Sequence, residues 1–227
     1  MITLHDLFVY GVVYSGEYAN SMLNGYGTLH FPDGAKYEGM WKDAKMHGQG
    51  LETAADGREL KGEWREGHIY NGSGTKVQQD GGELEGTWVE GRLEGMVRHV
   101  SKDGHKYVGE NVHGKQHGYG VFTYRDGSVT EGMWENGKLH GLGSKRSVDG
   151  SRYEGMFRNG MKHGRGMQKS HTGDVFEGEY VDNKIYSGKG TIVYSSGAKL
   201  EGEWIRGRKV GKFNSYDVDG KVTVLNF

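Results

Sequence analysis

Four histidines, His47, His117, His140 and His163, each stand directly before a glycine, and the last three recur every 23 residues. A ladder of imidazoles could hold a metal. The ligands of one Zn²⁺ lie about 2.0–2.2 Å from it, whereas residues repeated once per pair of strands recur about 10 Å apart. These histidines therefore read as turn caps, and no metal site is expected. A second candidate is "GENVHGKQ", Gly109 to Gln116, one residue short of the phosphate-binding pattern GxxxxGK[ST]. Gln116 takes the place of the Mg²⁺-binding hydroxyl, and Gly118 and Gly120 bar the helix that must follow. Gly132 to Lys138 shows the same spacing, so the pattern echoes a repeat, and nucleotide binding is not expected. There is no GxSxG elbow, no HExxH pair and no cysteine. The acidic residues fall at turn and outward positions. The chain reads as a non-enzyme without a cofactor.

Charge is distributed unevenly beneath a formal net of −1. Between Lys138 and His171, Lys138, Lys145, Arg146, Arg152, Arg158, Lys162, Arg165 and Lys169 face only Asp149 and Glu154, a local +6. Between Gln78 and Met96, Arg92 stands against Asp80, Glu83, Glu85, Glu90 and Glu94, a local −4. The basic stretch is either a solvated face or a site for anionic headgroups or acidic tails. Nucleic acid is disfavoured because the basic residues do not run the length of the chain.

The elements that carry these residues follow from a repeat. Glycines recur at Gly16, Gly39, Gly62, Gly86, Gly109, Gly132, Gly155, Gly178 and Gly202, spaced by 23 residues, or 24 in two cases. A second column runs Gly25, Gly48, Gly72, Gly95, Gly118, Gly141, Gly164, Gly188 and Gly211. Nine units result, over residues 14–222, with residues 1–13 as an N-terminal cap strand and 223–227 as a C-terminal edge strand. The third and eighth units carry matching inserts, "IYNGSGT" and "IYSGKGT", and an extra residue beside a turn suggests a bulge. Forty-two glycines in 227 residues exclude long helices, since each costs a helix about 1 kcal/mol. Fourteen tyrosines, seven phenylalanines and five tryptophans exclude a disordered chain despite a mean hydropathy of −0.76. No run approaches the roughly 20 apolar residues of a membrane span. His5 and Asp6 interrupt any signal-like apolar run at the N-terminus.

In "YEGMF", Tyr153, Gly155 and Phe157 alternate with Glu154 and Met156, the period of a strand. Hairpin turns are marked by Asp-Gly pairs such as Asp33-Gly34 and Asp126-Gly127, and within units by Asn136-Gly137 and Asn159-Gly160. The fold class is all-β: an elongated single-layer antiparallel sheet of stacked β-hairpins, two strands per unit. Two ring columns must form its core. One runs Tyr14, Tyr37, Leu60, Leu84, Tyr107, Thr130, Tyr153, Phe176, Leu200. The other runs Tyr18, Trp41, Trp64, Trp88, Asn111, Trp134, Phe157, Tyr180, Trp204.

Tyr-x-Gly-x-Trp, a turn, His-Gly-x-Gly and a closing Asp-Gly resemble the MORN (membrane occupation and recognition nexus) repeat over about nine tenths of the chain. The resemblance implies elongated hairpin sheets that act as scaffolds at cytoskeletal or membrane-associated structures, or as targeting modules of lipid kinases and methyltransferases. Asn111 and Thr130 depart from the ring columns, Val97 and Phe213 from the last glycine column, and Glu94 and Val210 from the histidine column. The fourth and ninth units are expected to be irregular.

The functional expectation is a scaffold that binds a protein partner at the cytoskeleton or cell cortex. Its partner-binding residues are Tyr14, Tyr18, Tyr37, Trp41, Trp64, Trp88, Trp134, Tyr153, Phe157 and Trp204. A second reading is a peripheral membrane adaptor that takes acidic phospholipids on Lys145, Arg146, Arg152, Arg158, Lys162, Arg165 and Lys169. A third is a regulatory subunit of an enzyme on another chain. The C-terminal strand "KVTVLNF", with Val222 and Val224 on one face and Leu225 and Phe227 on the other, either pairs with a second copy as a dimer interface or folds back to cap the ninth unit. The resemblance likewise implies dimers joined at the ends of arrays. Nine units at two strands each imply a ribbon of about 85 Å. Small-angle scattering is expected to give a maximum dimension well above the roughly 55 Å of a compact globule of this length; a spherical profile would exclude the stacked ribbon.

Overall fold

The computed structural model describes residues 7–9 and 11–227, and side chains from Gly11 onward. The signal-peptide reading at His5 and Asp6 lies outside these residues. The chain divides into two compact units, one ending at Lys115 and one running from Gln116 to Phe227. The first holds β1 (Leu7–Val9), β2 (Val12–Ala19), β3 (Met22–His30), β4 (Lys36–Lys42), β5 (Lys45–Thr53), β6 (Glu59–Arg65), β7 (His68–Val77), β8 (Glu83–Val89), β9 (Arg92–Val100) and β10 (Lys106–Val112). The second holds β11 (Lys115–Thr123), β12 (Val129–Glu135), β13 (Lys138–Arg146), β14 (Arg152–Arg158), β15 (Met161–Lys169), β16 (Val175–Val181), β17 (Lys184–Val193), β18 (Lys199–Ile205), β19 (Arg208–Tyr216) and β20 (Val222–Asn226). Within each unit every strand pairs antiparallel with its neighbour in sequence. No helix occurs among the described residues.

Two kinds of turn alternate, at the places that the Asp-Gly and Asn-Gly pairs mark in the sequence. The Asp-Gly pairs sit in five-residue loops. In Phe31–Ala35, the Phe31 amide donates to the Ala35 carbonyl at 2.8 Å and Asp33 Oδ1 accepts from the Ala35 amide at 3.0 Å. Asp56, Asp80, Asp126 and Asp149 do the same two residues on. The two-residue turns lie elsewhere, where both residues take positive φ, the signature of type I′. Asn136 (φ 51°) and Gly137 (φ 81°) form one; Asp43 (φ 50°) and Ala44 (φ 62°) form another without glycine. An alanine with positive φ is unfavourable by itself, so strand pairing on both sides holds it there.

The bulge expected at the insert recurs in each hairpin of this kind whose register is described within the two units, with or without the insert. In β12–β13, Gly132 pairs with Gly143 but Trp134 pairs with Leu139, leaving extra residues on the second strand. The same slip falls between Gly16 and Tyr18, Gly39 and Trp41, and Gly155 and Phe157. In the 24-residue units the slip moves one position, to Glu63/Trp64 and Glu179/Tyr180. The fourth and ninth units are irregular as expected: their slips straddle Gly86 and Gly202.

Glycine explains why the strands can pack this closely. A Cβ built on Gly16, Gly39 or Gly62 would lie 2.5 Å from the Cα of Gly27, Gly50 or Gly72 on the paired strand. Both faces of that contact must lack side chains. Where the second glycine is replaced, as Val97 and Phe213, the new side chain fills the space beside Gly86 or Gly202 and is itself buried.

Within each unit, the described buried hydrophobic side chains belong to one face, the ring face; they include Tyr14, Tyr37, Leu60 and Trp64 in the first and Tyr153 and Phe157 in the second. Leu84, Tyr18 and Trp204 are partly exposed. Thr130 is too small for its column, and Phe122, directly opposite it, brings its ring 6.3 Å from Trp134. Urea unfolding is expected to show Trp64→Ala destabilised by about 3–5 kcal/mol. Gly166→Ala should cost about 1–3 kcal/mol, because the methyl would overlap the hydroxyl and ring of Tyr153. Wild-type midpoints in both variants would show that the rings are not the core.

Candidate partner-binding surface

The ring face is built as a zipper. In the first unit, Tyr14 meets Tyr18 of its own hairpin at 5.1 Å and Trp41 of the next at 5.7 Å; Tyr37 repeats this with Trp41 and Trp64 at 5.1 and 5.3 Å. In the second, Tyr153 meets Phe157 at 5.1 Å and Tyr180 at 5.0 Å, and Phe176 meets Tyr180 and Trp204. All are near perpendicular, the edge-to-face geometry that aromatic quadrupoles favour by about 0.5–1.5 kcal/mol per pair. Several polar tips are satisfied locally, although the buried Trp64 indole nitrogen has no hydrogen-bond partner. The hydroxyls of Tyr14, Tyr37, Tyr107 and Tyr153 donate to the carbonyls of Glu17, Met40, Glu110 and Met156, three residues on. The indoles of Trp41 and Trp134 donate to the carbonyls of Gly27 and Gly120 at 3.1 and 3.0 Å. Burial pushes the Tyr14, Tyr107 and Tyr153 hydroxyls up to about 12, with the charges of Tyr18 and Glu17 adding at Tyr14 and that of Glu110 at Tyr107.

This zipper consumes the residues that sequence reading assigned to a partner. Tyr14, Tyr37, Trp41, Trp64, Trp88, Trp134, Tyr153 and Phe157 are buried, and only Tyr18 and Trp204 of that set are partly open. The rings form a platform. What stands beside them at equivalent positions differs from hairpin to hairpin. The residue directly opposite the next first-column residue is Leu29, Glu52, Lys76 and His99 in the first unit. In the second it is Phe122, Lys145, Gln168 and Ile192. His99 is exposed and the others half-buried. Burial raises the Glu52 carboxyl above its ordinary range, against the opposing pull of Lys76. Sequence reading missed this column because its residue types do not repeat.

The basic stretch is split between faces. Strand alternation puts Lys145 and Lys162 on the ring face, opposite Tyr153 and Phe157. Arg146, Arg152, Arg158, Arg165 and Lys169 are on the other. There Arg146 faces Arg152 and Arg152 faces Lys169, three cations in one cross-strand row. Arg158 pairs with Asp182 at 3.5 Å and Arg165 with Glu179 at 3.6 Å. The acidic stretch is partly neutralised internally: Glu83 bonds Arg58 at 2.7 Å and Arg98 at 2.9 Å, which holds its carboxyl below the usual range. Within the second unit, the outer face also carries exposed Tyr119, Met133, Leu142 and Met156 on four successive strands.

The histidines lie in second strands, not in turns, which corrects the capping reading. His140 and His163 place Nδ1 3.5 Å from Glu135 and Asp182. His47 Nδ1 is buried without a hydrogen bond. Gly109 to Gln116 is the end of β10, the His113-Gly114 turn and the start of β11, so no helix N-terminus faces its glycines. At the C-terminus, β20 pairs with β19, and Phe227 packs 5.0 Å from Phe213, with Lys209 Nζ 5.0 Å from the Phe227 ring. Val222 and Val224 are exposed on the outer face, Leu225 and Phe227 on the ring face.

Comparison with known proteins agrees with this geometry. The MORN repeat profile matches residues 14–36, 37–57, 107–129, 131–152, 153–175, 176–199 and 201–212, about two thirds of the chain. Residues 58–106, between matches, form hairpins of the same pairing. No curated protein matches the chain. Among solved structures, the TCP domain of Drosophila melanogaster SAS-4 (dCPAP), in complex with a proline-rich motif of Ana2, is 14% identical; the alignment covers 79% of this chain and 90% of that one, with a TM-score of 0.36. A mutant TCP10 domain of Danio rerio CPAP is 16% identical over 88% of this chain and 98% of its own, with a TM-score of 0.37. Virginiamycin B lyase from Staphylococcus aureus is 10% identical over 90% and 70%, with a TM-score of 0.18. At these scores the likenesses support no inference about function. With seven profile matches on hairpins of one construction, the chain belongs to the MORN repeat family.

Proposed function

We propose that this chain is a non-enzymatic scaffold that holds a protein partner along the ring face of its hairpins, at the cytoskeleton or cell cortex. The observation that carries this reading is the contrast between its repeated and its varied positions. Glycines and rings recur and are buried, so they build the platform. Leu29, Glu52, Lys76 and His99, and then Phe122, Lys145, Gln168 and Ile192, occupy equivalent places, remain accessible and differ chemically. In stacked-repeat proteins such a varied row on a constant frame is where partners are read. The cellular location rests on what the family resemblance implies. A second reading, acidic phospholipid on the outer face, is favoured by the Arg146–Arg152–Lys169 row, where three cations stand across from one another and Glu154, 3.9 Å from Arg152, is the one carboxylate paired with them among the described residues. Homodimerisation through the open edge of β20 is part of the proposal and predicts a sedimentation coefficient that rises with concentration.

Affinity capture with the full chain, compared with a His99→Ala/Ile192→Ser variant, tests the scaffold reading. The variant is expected to keep its melting temperature and lose most of the captured protein. Equal capture by both chains would remove the varied row from recognition. Co-sedimentation with acidic vesicles alone would favour the adaptor, and stoichiometric recovery of one enzyme a regulatory subunit.

A further inference from the structure

At the position facing the second ring column, the second unit carries Leu139 opposite Trp134 and Ile185 opposite Tyr180, apolar residues on apolar rings. The first unit does the same with Met46, Ile69 and Leu93. Between Leu139 and Ile185 the chain places Lys162 opposite Phe157, and beside it Lys145 opposite Tyr153. Both side chains are half-buried. Lys162 Nζ lies 5.1 Å from the Tyr153 ring and 6.0 Å from Tyr180, and donates to Gln168 Oε1 at 2.6 Å. Lys145 Nζ lies 5.5 Å from the Phe157 ring, and donates to the Gly160 carbonyl at 3.4 Å. Tyr153 and Phe157 are themselves in edge contact, so two ammonium groups share one pair of rings.

Neither lysine has a carboxylate within ion-pairing distance among the described residues. Alternation explains why: Glu131, Glu135, Glu154, Glu177 and Glu179 of the surrounding strands all fall on the outer face. Burial lowers both lysine pKa values, and the charge of Lys145 lowers that of Lys162 further. Each ammonium has three donors, and one is used. Lys209 sits similarly over Phe213 and Phe227, but with no second cation beside it.

We propose that the ring face of the second unit recognises an acidic side chain of its protein partner, whose carboxylate seats between the ammonium groups of Lys145 and Lys162. This rests on the scaffold reading and names the partner's chemistry. A polypeptide carboxylate suits the site because its neighbours in the varied row are Phe122 on one side and Gln168 and Ile192 on the other. Those positions recur every second strand, about 10 Å apart, and an extended peptide advances about 3.3 Å per residue. A segment crossing the strands therefore presents every third residue, in the order apolar, acidic, polar, apolar.

The test is fluorescence anisotropy of the full chain with a labelled peptide of that pattern, serine filling the intervening places, against the same peptide with glutamine for glutamate. The acidic peptide should bind at least about tenfold more tightly, the scale of one or two charge-assisted hydrogen bonds. Lys145→Met/Lys162→Met should abolish that preference while leaving the melting temperature unchanged or higher, since it removes two half-buried charges. Equal affinity of the two peptides for the wild-type chain, which needs no variant, overturns the lysine site but leaves the partner-binding face standing. Displacement of the acidic peptide by inorganic phosphate at equal concentration also overturns it, since the site would then read charge alone. Binding of neither peptide, in a chain that still captures protein through its His99 and Ile192 positions, does so as well; loss of that capture too would remove the scaffold reading.

Discussion

Two β-strands can bring their backbones into contact only where neither carries a side chain, and this protein rests on that constraint. Each regular hairpin sets one glycine against another, and in Gly16–Gly27, Gly39–Gly50 and Gly155–Gly166 a tyrosine lies across the gap. The ring is held by its neighbours on both sides and its hydroxyl closes onto the backbone three residues on. A thin sheet has no second layer to bury its apolar residues against, so rings stacked over bare backbone take that part. Each hairpin shares its rings with the next, which makes stability a sum of neighbour contacts.

The exceptions obey the same rule. In the fourth and ninth units the tyrosine is a leucine, Leu84 or Leu200, and the second glycine becomes Val97 or Phe213. Volume lost from one strand is returned from the other, and the bulge moves to Gly86 and Gly202 to accommodate it. Thr130 is compensated by Phe122 in the same way. At the C-terminus Phe227 adds a further ring to the Trp204–Phe213 pair, so β20 continues the zipper.

A platform assembled this way leaves little of its rings exposed, and that separates framework from recognition. The residues most visible in the repeat do the packing. Those beside them, from Leu29 to Ile192, differ in type from hairpin to hairpin, and among them Phe122 also packs where Thr130 leaves room. Lys145 and Lys162 show how far this variation extends, with two cations accepted against aromatic faces and no carboxylate within ion-pairing distance among the described residues.

The 23-residue spacing, the alternation in "YEGMF" and the density of glycine were enough to determine strands, hairpins, two ring columns and the sites of irregularity. Local chemistry governs those features: glycine breaks helices, and period-two rings must share a face. Sequence reading placed a closing turn at each Asp-Gly and a second turn at Asn136-Gly137 and Asn159-Gly160, but it did not reach Asp43-Ala44 or Arg206-Gly207, which turn because paired strands impose positive φ. Nor could it show that the bulge recurs in hairpins without the insert, because register depends on which residues meet across strands. It grouped seven basic residues into one patch. The tertiary pairing sent Lys145 and Lys162 to the ring face and the other five to the opposite one, because a pleated strand turns successive side chains to opposite sides and only the register says which side is buried.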